Sequence, residues 1–135
     1  MPITKERTGW RDEGISNRHR EWGVGCTATD FDFLLLEYEF GEPSAIVEYK
    51  NEHAAPQYSS NVQYRALVKL GNSAKIPVIV CRYSDDYSHY VAVALNKYAR
   101  EFIPNGRAEF DEAGWVKLLY DIRGSKQLEA LEVAM

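Results

Sequence analysis

Between Asp30 and Lys50 two apolar segments run on either side of a bend. Asp30-Phe31-Asp32-Phe33-Leu34-Leu35-Leu36-Glu37-Tyr38 leads in, Gly41, Glu42 and Pro43 make the turn, and Ala45-Ile46-Val47-Glu48-Tyr49-Lys50 returns. Apolar and β-branched runs bounded by turn residues predict a β-hairpin. Side chains alternate across a strand, so Glu48 and Lys50 share one face, and Asp30 and Asp32 share a face of the partner strand. Two carboxylates and a lysine can therefore converge on one spot.

The remaining chain predicts a sheet to hold this hairpin. Residues 12–22 are charged, with Ile15 and Trp22 on one helical face and Gly23 at the stop, which predicts a short helix. Residues 23–29 form a loop or short irregular strand. The first hairpin arm, about 31–39, carries the continuous Leu34-Leu35-Leu36 run expected of a central strand buried on both faces. The second arm, about 44–50, is shorter and mixed. After a loop over 51–57, the apolar residues Val62, Ala66, Leu67 and Leu70 recur at helical spacing over 58–70, with Gly71 closing the helix. Residues 76–83 are a β-branched buried strand with Pro77 at its entrance, 84–88 a polar turn, and 90–95 its antiparallel partner. Residues 98–109 give no clear element. Asp111 caps a helix whose apolar face is Trp115, Leu118, Leu119 and Ile122, ending at Arg123-Gly124, and the tail from Lys126 extends as another helix or stays disordered. A helix between the second hairpin strand and the strand at 76–83 makes those strands parallel. The expected fold is α/β, a small mixed β-sheet flanked by helices, in one domain over 1–135 with its core at about 12–95 and a helical extension at about 98–135.

Charge bears on partners. The 135 residues carry a formal charge of −4, which argues against a surface coated in base for non-specific nucleic-acid binding. Distribution says more. Residues 30–53 hold Asp30, Asp32, Glu37, Glu39, Glu42, Glu48 and Glu52 against Lys50 alone, whereas 58–83 hold Arg65, Lys69, Lys75 and Arg82 and no acid. An acidic centre beside a basic segment suits a metal site with a phosphate-binding flank, although two ordinary solvated faces give the same pattern. No apolar run approaches a membrane span and the N-terminal residues lack a signal-peptide pattern, so a cytoplasmic protein is expected. Cys26 and Cys81 lack zinc-site spacing and carry no functional weight.

Cleaving a phosphodiester requires neutralising the phosphate, generating a hydroxide and stabilising the leaving oxygen. Magnesium, with manganese as its substitute, takes one or two carboxylates and completes its shell with water and substrate oxygens. Asp32 and Glu48 can supply that pair, the backbone carbonyl of Tyr49 a third oxygen, and Lys50 an ammonium beside the attacking water. Arg18, His19 and Arg20 on the first helix, and Arg65 and Lys69 on the second, are candidates for phosphate contact, and Glu21 for a further metal carboxylate. Taken singly, each of these is more often a solvated side chain.

Asp32, then Glu48-Tyr49-Lys50 on the next strand, then a helix bearing Gln63, resembles the PD-(D/E)xK nuclease superfamily. Segments 16–23, 29–33 and 46–50 look like a small phage- or prophage-type branch of it. The resemblance covers about residues 12–95 and implies a restriction-endonuclease-like core. It implies that Asp32 and Glu48 bind metal, Lys50 is catalytic, Gln63 is auxiliary and Glu21 matches an acid on the first helix. Neither Thr29 nor Phe31 is the proline of the family's motif, and Asp30 competes with Asp32. Asp32 is favoured because it lies deeper in the strand.

The expectation is a Mg2+- or Mn2+-dependent endonuclease acting on DNA rather than RNA, with no membrane partner. A non-catalytic nucleic-acid- or protein-binding phage accessory protein on the same fold is the alternative, and a structural subunit of a larger nuclease is a third. The intact Asp32, Glu48 and Lys50 set favours the enzyme. The low basicity favours the alternative, or a homodimer that pools its basic faces.

Overall fold

A computed structural model describes residues 13–26, 28, 32–55 and 61–134. The chain divides into two compact units, residues 1–30 and 31–135. The first contains the helix α1 (Glu13–Glu21) and a 3-10 turn at Val24–Cys26, in agreement with a short helix followed by a loop. The second contains β1 (Phe33–Glu37), β2 (Glu42–Asn51), α2 (Val62–Ala74), β3 (Val78–Tyr83), β4 (Tyr90–Ala94), α3 (Lys97–Arg100), β5 (Arg107–Phe110) and α4 (Glu112–Ala134).

The second unit is α/β. Its five strands lie in the order β1-β2-β3-β4-β5, with β2 and β3 parallel and every other pair antiparallel. The helix α2 makes the crossover that a parallel pair requires. On one face of the sheet, Ala45, Val47, Ile79, Cys81, Ala92 and Ala94 pack with Ala99, Ile103, Trp115, Leu118 and Ile122 of α3, its following turn and α4. On the other, Ile46 and Val78 pack with Tyr64 and Leu67 of α2 and with Ile76. No helix among the described residues is long and apolar enough to cross a membrane.

The hairpin forms, but the roles of its arms are exchanged. β1 is the edge strand, with Leu34 and Leu36 40% and 48% exposed and only Leu35 of the three packed on the core. β2 is the long central strand, buried from Ser44 through Glu48. A continuous leucine run satisfies a half-covered edge strand as well as a buried one, and the covering helices settle which. The register shifts between Leu35 and Leu36, opposite Pro43. An irregular ladder is where a strand tolerates a residue without an N–H.

α2 also departs from expectation. Its buried stripe is Tyr64, Leu67 and Gly71, with Val68 partly covered, whereas Val62 and Leu70 are exposed. Gly71 does not end the helix. It lies inside, where a Cβ would overlap Cγ2 of Val78, so its lack of a side chain lets α2 approach β3. The helix runs on to Ala74 and is capped by Lys75 in the left-handed conformation. The buried side chain of Asn96 joins the neighbouring ends: its Oδ1 accepts from Val78 and Ala99 N–H groups, and its amide donates to the Ile76 carbonyl and Asn72.

α4 begins as expected, with Asp111 Oδ1 accepting from the Gly114 N–H. It continues through Gly124 to Ala134, so the expected tail segment belongs to the same helix. β5, within the stretch that gave no element, completes the sheet beside β4.

Candidate active site

Register and pleat decide which side chains meet. Phe33 pairs with Val47, which places Asp32, just before β1, beside Glu48. The two are interlocked. The Asp32 backbone N–H donates to Glu48 Oε1 at 3.1 Å, and Asp32 Oδ2 accepts from the Tyr49 N–H at 3.0 Å. One oxygen of each carboxylate is thereby committed to holding the open end of the hairpin.

Glu48 is 1% exposed. Burial, reinforced by the charge of Asp32, lifts its carboxyl above the ordinary value, while the Asp32 N–H and the Lys50 ammonium pull it down. Asp32 and Lys50 thus both act electrostatically on Glu48. Lys50 is half-buried on the same face of β2, and in the parallel ladder it lies opposite Arg82 of β3. Arg82 spends its guanidinium on the carbonyls of Asn51, Ala54 and Ala55, which ties down the segment after β2. The Tyr49 side chain turns to the other face, where its hydroxyl accepts from Trp115 Nε1 at 3.0 Å.

From the α2 side the site meets Tyr64, which the sequence pattern did not single out. Burial first, then the charges of Glu48 and Asp32, raise its phenol above the ordinary range, and Arg82 acts in the opposite sense. Its buried hydroxyl has no hydrogen-bond partner among the described residues. Gln63 precedes it in the first turn of α2, where its N–H donates to the capping Asn61 side chain. Arg65 and Lys69 are exposed on the same helix.

Other candidates fall elsewhere. Asp30 lies outside the described residues. Arg18, His19, Arg20 and Glu21 belong to α1 in the first unit, where Arg20 donates to Asn17 and the His19 ring lies edge-on to Trp22 with Nδ1 3.0 Å from the Cys26 carbonyl oxygen. Of the acids in the central segment, Glu37 is fully buried and accepts the N–H groups of Glu39 and Phe40, a turn-stabilising role. A largely apolar cleft of about 670 Å³, lined by Phe33, Tyr49, Tyr83 and Trp115 among others, opens on the α4 face, opposite to Glu48 and Lys50.

Past the carboxyl ends of β2 and β3, Glu52, His53 and Asp85 bring ligand-type atoms within 4.8 Å of one another. These exposed groups already bind each other: His53 Nε2 lies 2.8 Å from Asp85 Oδ2, and Glu52 accepts the Asp85 N–H. The Asp85 hydrogen bond and charge hold His53 above its ordinary 6.5, and hydrogen bonds from Asn51 and His53 hold Asp85 below 3.8. The ion pair's contribution is therefore fully present between about pH 4 and 6.5, fading as pH rises through the raised histidine value or falls through the lowered aspartate value. In an NMR titration, His53 is expected to titrate above 6.5 and Asp85→Asn to return it there. A His53 midpoint indifferent to Asp85→Asn would contradict the pairing.

Comparison with protein-family models, with curated proteins and with solved structures finds no match to this chain.

Proposed function

We propose that this protein is a metal-dependent nuclease of the PD-(D/E)xK type with a restriction-endonuclease-like core, hydrolysing phosphodiester bonds within DNA. The observation that carries the reading is the interlocked pair Asp32 and Glu48, with Lys50 following on the same face of the central strand. The site lies toward the carboxyl ends of two parallel strands, where open α/β sheets commonly bind ligands.

The residues fit a hard divalent cation. Adjacent carboxylates, one of them buried, repel each other, and a cation between them turns that repulsion into attraction. Carboxylate and carbonyl oxygens are the donors that Mg2+ and Mn2+ prefer. The Tyr64 hydroxyl, without a hydrogen-bond partner among the described residues, adds unfilled hydrogen-bonding capacity on a side chain that feels the charges of Glu48 and Asp32. In this reading Asp32, Glu48 and the Tyr49 carbonyl hold the ion, which when bound polarises the phosphate and lowers the pKa of water. Lys50 offers its ammonium to the attacking water and the developing phosphate charge. Gln63 assists from the first turn of α2, and Arg65 and Lys69 contact flanking phosphates, fixing the strand without reading its bases.

The net charge of −4 favours a second reading, a non-catalytic nucleic-acid- or protein-binding module. The two separate when the protein is incubated with labelled single-stranded, duplex and branched DNA, and with RNA, with and without Mg2+ or Mn2+. The nuclease reading expects cleavage of at least one DNA and only with metal. No cleavage of any substrate in metal would leave the binding module.

A further inference from the structure

Tyr64 packs its ring among Ile46, Leu67, Ile76 and Val78. Only 3% of the residue is exposed, and its hydroxyl is buried without a partner among the described residues. A phenylalanine would fill the same apolar space with no orphan, whereas an unpaired buried hydroxyl costs about 1–3 kcal/mol. Packing alone therefore does not account for the oxygen. Its surroundings are charged: Glu48, Asp32 and Arg82 all act on it electrostatically. Of these, Arg82 is occupied by three backbone carbonyls and is poorly placed to serve the carboxylates as well. Glu48 Oε1 already accepts from the Asp32 N–H, so a donor arriving from the α2 side would engage Oε2.

We propose that Tyr64 is a positioning residue for Glu48: unpartnered in the metal-free protein, its hydroxyl donates to the Glu48 carboxylate when a divalent cation binds and holds it in the ligating orientation. This deepens the metal-site reading of Asp32 and Glu48 and rests on it. Carboxylates that ligate metals are themselves hydrogen-bonded, and removing such an outer partner typically weakens the metal about 10–100-fold. The structure thus sets an orphan donor on the α2 side of a ligand whose Oε1 is held by the Asp32 N–H. Local metal-free stability is exchanged for a donor kept in reserve.

The test compares wild type, Tyr64→Phe and the double variant Asp32→Ala/Glu48→Ala. Each is titrated with Mn2+ by electron paramagnetic resonance, and each is melted in chelator. Tyr64→Phe is expected to bind Mn2+ about 10-fold more weakly, while its metal-free melting temperature equals or exceeds that of wild type. A purely structural role would move the melting temperature and not, at equal foldedness, the affinity. Unchanged Mn2+ affinity in Tyr64→Phe overturns the inference, as does a lowered metal-free melting temperature, which would reveal a structural partner for the hydroxyl. If the double variant loses Mn2+ and Tyr64→Phe does not, the inference alone fails. If wild type does not bind Mn2+, or the double variant binds it equally, the metal-site reading fails and carries the inference with it.

Discussion

Lys50→Ala is expected to slow metal-dependent DNA cleavage by about 10²–10³-fold, the range found when one preorganised charge-stabilising donor is removed from a transition state. Its affinity for Mn2+ in the absence of DNA is expected to stay close to that of wild type. The distinction follows from position. Lys50 lies two residues beyond Glu48 on the same strand face and acts on it through its charge, without joining the interlock between Asp32 and the β2 backbone. Single-turnover rates at saturating metal measure the effect. Cleavage at the wild-type rate in Lys50→Ala would remove the lysine from the chemistry and leave the nuclease proposal without its charge-stabilising group.

Trp115→Ala is expected to cost about 3–5 kcal/mol of folding stability, as large-to-small changes of a buried indole do. Trp115 is 2% exposed, stacks on Tyr90 with ring centroids 6.2 Å apart, lies edge-on to Tyr49, and donates its indole N–H to the Tyr49 hydroxyl. Removing it opens a cavity between α4 and the sheet and strips the Tyr49 hydroxyl of its donor. Because Tyr49 sits between Glu48 and Lys50, the same change loosens the strand that presents both. Urea unfolding measures the loss, and a value below about 1 kcal/mol would mean that α4 is anchored elsewhere.

The hairpin was legible because its evidence is local. Period-2 alternation places Glu48 and Lys50 together whatever the rest of the chain does, and the turn at Gly41 brings Asp32 opposite Glu48. The parallel relation of β2 and β3 was equally accessible, since a helix between two strands leaves little choice. What failed depended on tertiary cover. Leu34-Leu35-Leu36 is as apolar as a central strand, yet β1 pairs with β2 alone and lies at the sheet edge with Leu34 and Leu36 exposed. On α2, Val62, Ala66, Leu67 and Leu70 make a credible stripe, but the helix turns Tyr64 and Gly71 inward. Tyrosine is ambiguous on an amphipathic wheel, and glycine signals helix ends more often than close contacts. Gly124 misled in the same way, since α4 passes straight through it. β5 is only four residues of shallow alternation, and its pairing with β4 is what makes it a strand.

The same division runs through the site. Asp32, Glu48 and Lys50 carry their own pattern, whereas Tyr64 reaches them only through the crossover. Glu52, His53 and Asp85 meet because β2 and β3 end side by side. Neither grouping has a spacing that a linear chain would reveal.

The central claim is that Asp32 and Glu48 together hold a divalent cation, and calorimetric titration of Mn2+ into the metal-free protein tests it most directly. Wild type is expected to give a saturable binding isotherm that disappears in Asp32→Ala/Glu48→Ala, with the variant still folded by circular dichroism. An isotherm unchanged in the folded double variant would place the metal elsewhere and contradict the account.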